Sequence, residues 1–212
     1  PATTAIYTLS LHDALPILML IRELLYAGYE VTIGADKAPL RILRENFPKL
    51  PYLVIPSFEI KYPYKGSWMV LKMFANIPKL LLGIFREHQM LKKIIKTNNF
   101  QMVISDNRYG LFGKKIYSIF ITHQLRIQLP YYLKWAGFIL QFINYRFIKR
   151  FNECWIPDFA GSGNLSGILS HPSKIPSNAK YIGLLSRFRD SATGPSTNLE
   201  FHHNYDILII LS

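Results

Sequence analysis

Two short polar runs hold the residue types from which binding chemistry is built. Ser105-Asp106-Asn107-Arg108-Tyr109-Gly110 gathers a carboxylate, an amide and a guanidinium in consecutive positions. Asp or Asn can hold sugar hydroxyls, and Arg can grip a phosphate with its bidentate fork. Thr122-His123-Gln124 adds an imidazole able to take a proton or donate to a phosphate, and an amide suited to a sugar hydroxyl. Each run also has a plainer reading. Asp106 can cap a following helix while Arg108 stays solvated, and His123 can be a structural histidine bonded to backbone. For the first run, position and polarity together favour binding; for the second the two readings balance. A third polar strand end is Pro157-Asp158-Phe159, followed by the loop Ala160–Gly167 (AGSGNLSG).

Other features carry less. AGSGNLSG lacks the Gly-x-Gly-x-x-Gly spacing, and no strongly apolar helix follows it, so it reads as a flexible surface loop rather than a nucleotide cradle. Asn164-Leu165-Ser166 matches a glycosylation sequon, a chance match in a cytosolic chain. His202 and His203 have no partner ligands at metal spacing, so no metal site is expected. Cys154, the single cysteine, falls in a buried-type strand and reads as inert core. One cysteine excludes a disulfide framework and fits a reducing compartment.

The polar runs need elements to position them. Short β-rich runs are expected at Glu30–Ala35, Tyr52–Pro56, Gln101–Asp106, Tyr117–Thr122, Glu153–Pro157 and Lys180–Gly183. All are apolar at their centres, as strands buried on both faces of a parallel sheet are. Helical stretches are expected at Ile17–Ala27, Ala38–Asn46, near Ser67–Lys96 and at Tyr131–Phe151. This alternation predicts an α/β fold, a Rossmann-like doubly wound parallel sheet. In such sheets ligands bind beyond the carboxyl ends of the strands, which is where all three polar runs fall. Gly28 is the expected C-cap of the first helix, and Pro78 is expected to kink or divide the long one.

The chain of 212 residues can bury a core without metal or disulfide, and its 50% hydrophobic and 18% charged content excludes intrinsic disorder. No charge-free apolar run reaches the length of about 18 residues that a spanning helix requires. The net charge of +12 arises entirely in the middle: Lys61 to Arg150 holds 16 basic and two acidic residues (Glu87, Asp106). Such a patch attracts an anionic membrane, a pyrophosphate-bearing substrate or nucleic acid. Nucleic acid ranks last, since the basic residues are interleaved with apolar ones and form no recognised motif. Trp68–Phe85 and Tyr131–Phe151 mix large apolar residues with Lys and Arg. They read as helices packed on the sheet with snorkelling basic residues, leaving room for part of the surface to contact a membrane.

The ends differ in character. Residues 1–16 show β character at Ile6–Leu11, resemble translated adapter sequence joined to a gene, and are set apart as a foreign or disordered segment. Arg189–His203 is polar and rich in Ser and Thr, so residues 189–205 read as a linker. Asp206–Leu211 then begins a new apolar strand, expected to be the first of a missing second domain.

The ordered segments IRELLYAGYEVTIG (Ile21–Gly34), QMVISDNRYG, SIFITHQL, NECWIPDF, NLSGILSHP and KYIGLLSRF together resemble the amino-terminal half of a GT-B glycosyltransferase. Within that group they are similar to the bacterial family 28-type proteins, relatives of the lipid-linked-disaccharide synthase of peptidoglycan synthesis. The resemblance runs from about Ile17 to Phe188. It implies an acceptor-binding domain at residues 17–188 and a donor-binding domain beginning at residues 206–212. It implies acceptor contacts from Asp106, Asn107, Arg108, Tyr109, His123 and Gln124. The donor would be a nucleotide-diphosphate sugar, bound by the missing domain, with no cofactor and no metal. The acceptor would be a hydroxyl compound, often lipid-linked in that family. The family's first loop commonly carries a Gly-His pair. Here Leu11-His12-Asp13 stands near that place without the glycine, so His12 is a candidate base whose surroundings do not match, and the catalytic base stays unassigned. The implied location is the cytoplasm, at the inner face of the plasma membrane. The alternative from another class is a non-catalytic basic module that binds a membrane surface.

Overall fold

A computed structural model describes residues 17–56, 69–126, 134–161, 163–185 and 206–210 of the chain. His12, the β character at Ile6–Leu11 and the linker at 189–205 lie outside these residues.

The first helix, α1, spans residues 17–26. Its Ile17, Leu20, Ile21 and Leu24 recur at helical spacing and are all buried. Gly28 ends it at φ +87°. The Gly28 amide donates to the Leu25 carbonyl and the Tyr29 amide to that of Leu24, the paired closure of a Schellman cap. Tyr29 and Leu24 are both buried in the same cluster, completing the apolar contact of that motif.

Next come β1 (Glu30–Ala35), α2 (Lys37–Asn46), β2 (Tyr52–Val54), α3 (Met69–Thr97), β3 (Met102–Asp106), β4 (Tyr117–Ile121), α4 (Lys134–Ile148), β5 (Glu153–Ile156), a 3-10 turn at Gly167–Leu169, β6 (Ala179–Tyr181) and β7 (Asp206–Ile210). The expected strands are all present, trimmed or shifted by a residue or two. Pro78 does not divide α3. A missing amide removes only one hydrogen bond from a helix of 29 residues. α4 is shorter than expected, its last turn giving way at Lys149–Phe151 to the approach into β5.

The strands form one sheet in the order β2-β1-β7-β3-β4-β5-β6, with every pairing parallel. This is a Rossmann-like doubly wound α/β fold. From β1 the chain moves outward to β2, recrosses through α3 to β3, and then moves outward the other way. The reversal places a switch point at the centre of the carboxyl rim, where ligands of such sheets gather.

The last strand corrects the expected domain division. Asp206–Ile210 belongs to this sheet and fills its centre, with Thr32 opposite Leu208 on one side and Val103 opposite Leu208 on the other. Its side chains explain the placement. Ile207, Leu208, Ile209 and Ile210 are wholly buried, as only a central strand covered on both faces permits.

The two faces of the sheet are covered separately. Ile33, Ile104, Ile119, Ile121, Trp155, Ile207 and Ile209 pack with α1 and α2. The alternate residues point the other way. Val103, Leu208 and Ile210 pack with Leu91 of α3, and Phe120, Cys154 and Ile156 with Ile148 of α4. Cys154 is buried core, and burial pushes its thiol up to about 12.

Candidate functional site

Because the sheet is parallel throughout, all strand carboxyl ends share one rim. Asp106 is paired in register with Ile121, so the two polar runs leave the rim side by side. They use their polar groups in opposite ways.

In the first run the chain turns at Asn107, whose φ of +54° lies in the left-handed region that Asn tolerates. The Ser105 hydroxyl donates to the Arg108 carbonyl at 2.7 Å and closes the turn. The Asn107 amide donates to the Ile121 carbonyl and ties the turn to β4. Past this point the chain faces inward. Arg108 is only 4% exposed. Its Nε donates to Glu87 Oε1 at 3.0 Å and its Nη2 to the Pro56 carbonyl at 2.6 Å. The other Glu87 oxygen accepts from the Gly110 amide at 3.2 Å. Gly110 is required here, since a Cβ would lie 2.5 Å from both Glu87 Cβ and the Ile84 carbonyl oxygen. The Tyr109 hydroxyl donates to Asn144 Oδ1 at 2.8 Å, and burial pushes its pKa up to about 12.

Two expectations are corrected by this geometry. Arg108 is neither solvated nor open to a phosphate, because its guanidinium clamps α3 and the end of β2 against the rim. Tyr109 serves as a strut to α4. Asp106 caps no helix, since the chain continues into the turn and loop up to β4. Asp106 is half-buried at the rim, and Asn107 is exposed beside it.

The second run points outward. Thr122 is buried, its amide bonded to the Trp155 carbonyl, and its hydroxyl accepts from the Gln124 amide at 3.1 Å. That local turn leaves His123 and Gln124 exposed on the rim. The next residue anchors the loop from two sides. The Leu125 carbonyl accepts from Gln141 Nε2 at 2.7 Å and Asn144 Nδ2 at 3.0 Å. The Leu125 and Arg126 amides both donate to the Leu169 carbonyl.

Leu169 is itself held by the third polar strand end. Asp158 is fully buried and accepts from the amides of Phe159, Leu165 and Ser166 and from the Ser170 hydroxyl, at 2.8–3.1 Å. Burial alone would raise its pKa. The bonds from Leu165, Ser170, Ser166 and Phe159 outweigh burial and hold the carboxyl well below the usual carboxylate range. His171 Nε2 stands 3.3 Å from Asp158 Oδ2, at ion-pair distance but out of line for a hydrogen bond. The loop read as a flexible glycine loop is thus wrapped around an internal carboxylate. The amides of Asn164, Leu165, Ser166 and Gly167 are already given to Gly161, Asp158 and Asn164 within the loop.

Sequence reasoning missed Glu87, Asn144 and Asp158 as the groups that hold the rim. Each left a trace. Glu87 is the lone acid between Lys61 and Ser105, Asn144 interrupts an apolar run, and Asp158 directly follows a strand.

The rim therefore presents a carboxylate, two amides and an imidazole: Asp106, Asn107, Gln124 and His123. This set can accept and donate hydrogen bonds to vicinal hydroxyls and can take a proton from one of them. Among the described residues no cluster of three His, Cys, Asp or Glu could hold a metal ion, and no helix is long and apolar enough to cross a membrane. A cleft of about 530 Å³ opens at the opposite, amino-terminal rim, lined by Tyr29, Glu30, Asn98 and Phe100 among others. It lies away from these groups, and its own polar residues, Glu30, Thr32, Asn98 and Asn99, include no imidazole. Comparison with family models, with curated proteins and with solved structures finds no match to this chain.

Proposed function

We propose that this chain is the acceptor-binding part of a glycosyltransferase of the GT-B kind. The observation that carries the reading is the set Asp106, Asn107, His123 and Gln124 along the carboxyl rim of a doubly wound sheet, Asp106 half-buried and the other three exposed. In the reaction an acceptor hydroxyl attacks the anomeric carbon of a nucleotide-diphosphate sugar. A carbon–oxygen bond forms to the acceptor, the bond to the diphosphate breaks, and a base takes the hydroxyl proton. His123 is the exposed imidazole on this rim, and the amides and the carboxylate orient the hydroxyls. Arg108 and Tyr109 contribute by holding the rim. The departing diphosphate needs charge stabilisation, for which none of these rim residues is assigned. No metal or cofactor is assigned.

The setting we infer is the cytoplasm, at the inner face of the plasma membrane, with a lipid-linked acceptor. The second reading, a basic membrane-surface module without catalysis, is favoured by the exposed apolar residues of α3 and α4.

Calorimetric titration with soluble saccharide phosphates tests the proposal. Binding should weaken by about tenfold or more, about 1.4 kcal/mol, in His123→Ala and in Asp106→Asn. Saccharide binding indifferent to both substitutions would contradict the reading.

A further inference from the structure

We propose that Phe159 is a stacking platform for the pyranose ring of a saccharide, set on the same carboxyl rim as Asp106 and His123. This rests on the reading above and adds how the sugar ring itself is held.

The observation that carries it is an aromatic side chain displayed on a fixed backbone. β5 buries Cys154, Trp155 and Ile156 completely, and the chain then turns at Pro157 and Asp158. Phe159 follows at 48% exposure, and Leu165 on the same loop stands at 74%. A soft loop can fold such side chains away from water. This loop is held open from beneath. The Phe159 amide donates to Asp158 Oδ1 at 2.8 Å, and the Leu165 amide donates to the same oxygen at 2.9 Å. The Gly183 amide donates to the Asp158 carbonyl at 3.1 Å and ties the turn to the chain beyond β6. Gly183 has φ +78°, and a Cβ there would stand 3.8 Å from Phe159 Cε1, so the aromatic ring rests beside this glycine. The ordering that a ligand would otherwise have to impose on the loop is already made.

Neighbouring bonds place the ring next to the polar set. The Thr122 amide donates to the Trp155 carbonyl at 3.1 Å, which brings the ends of β4 and β5 level. The Leu125 and Arg126 amides donate to the Leu169 carbonyl at 3.0 and 2.9 Å. The Leu169 amide in turn donates to the Ser166 carbonyl at 3.2 Å. The segment that exposes His123 and Gln124 is thereby joined to the loop that exposes Phe159 and Leu165. Hydrogen-bonding groups come from the end of β4, and an aromatic ring from the end of the strand beside it.

Chemistry selects the occupant. A pyranose carries hydroxyls around its edge and C–H bonds on its faces. Those C–H bonds are slightly positive and settle on the negative face of an aromatic ring. The edge hydroxyls then meet an imidazole, two amides and a carboxylate, which both donate and accept. A nucleobase also stacks on an aromatic ring, but it has no ring of hydroxyls to use this polar set.

Titration calorimetry and saturation-transfer NMR with glucose 1-phosphate and glucose 6-phosphate test the proposal. Phe159→Leu keeps the apolar bulk and removes the aromatic face, so it should weaken binding by about tenfold. Phe159→Trp should bind at least as tightly as wild type. Neither should change the thermal melt, because half of the side chain already meets solvent. Saturation of the aromatic protons should pass most strongly to the C–H protons of the sugar ring, and this transfer should fall in Phe159→Leu. Saccharide binding that His123→Ala and Asp106→Asn weaken but Phe159→Leu leaves intact would overturn the platform and spare the rim reading. Weakening by Phe159→Leu alone would keep the platform and remove the rim set. Wild type that binds neither sugar phosphate would overturn both. Weakening by Phe159→Leu that is confined to uridine would also overturn the platform, since a base would then be the occupant.

Discussion

The segments 105–110 and 122–124 look alike in sequence: each is a polar tip after an apolar strand. The first turns through Asn107 and sends Arg108, Tyr109 and Gly110 into the structure. The second folds on the Thr122 hydroxyl and sends His123 and Gln124 out. A charged residue at a strand end is therefore no measure of availability. What separates the two is whether a partner waits beneath the rim. Glu87 and the carbonyls of Ile55 and Pro56 wait beneath Arg108, whereas α4 bonds the backbone at Leu125 and leaves the side chains before it free to face solvent.

Substitutions should separate the two segments by size of effect. Arg108→Ala strands the buried Glu87 carboxylate and should cost about 3–5 kcal/mol of stability, read from urea unfolding. A loss under about 1 kcal/mol would mean that the pair is solvated and the first segment resembles the second. Asn144→Ala comes next. It leaves the Tyr109 hydroxyl without its partner and removes one of two donors to the Leu125 carbonyl, for about 1–3 kcal/mol. It should also speed hydrogen exchange in both segments, since Asn144 braces both. The third effect is acid loss through Asp158. Its folded pKa lies below the unfolded value of about 3.9, so its stabilisation is present above that value and fades as pH falls through the folded one. Asp158→Asn should lose less stability than wild type between about pH 4 and about pH 2, as followed by circular dichroism. The smallest effect is His123→Ala, expected to change stability by no more than about 0.5 kcal/mol while it weakens saccharide binding.

The strands could be read from sequence because a sheet buried on both faces demands unbroken apolar runs, and these are conspicuous in MVISD, YSIFI and ECWI. The cap at Gly28 was equally plain, since a helix pattern stops there at a residue free to adopt positive φ. The place of β7 could not be read. DILII announces a buried parallel strand, but which strands flank it is decided by packing across the whole chain, and the polar stretch before it imitates a domain boundary. The fate of Arg108 was hidden for a similar reason, because its partner lies 21 residues upstream on a helix. The apolar run of α4 reads as a helix packed on the sheet with room for part of its surface to meet a membrane, and Gln141 and Asn144, with Ile148, mark its inner side.

The most direct measurement is an amide-resolved NMR titration of the chain with a soluble saccharide pyrophosphate. The account predicts shifts centred on Asp106, Asn107, His123 and Gln124 that vanish in His123→Ala. Shifts confined to the cleft around Tyr29 and Asn98, or no shifts at saturating saccharide, would contradict it.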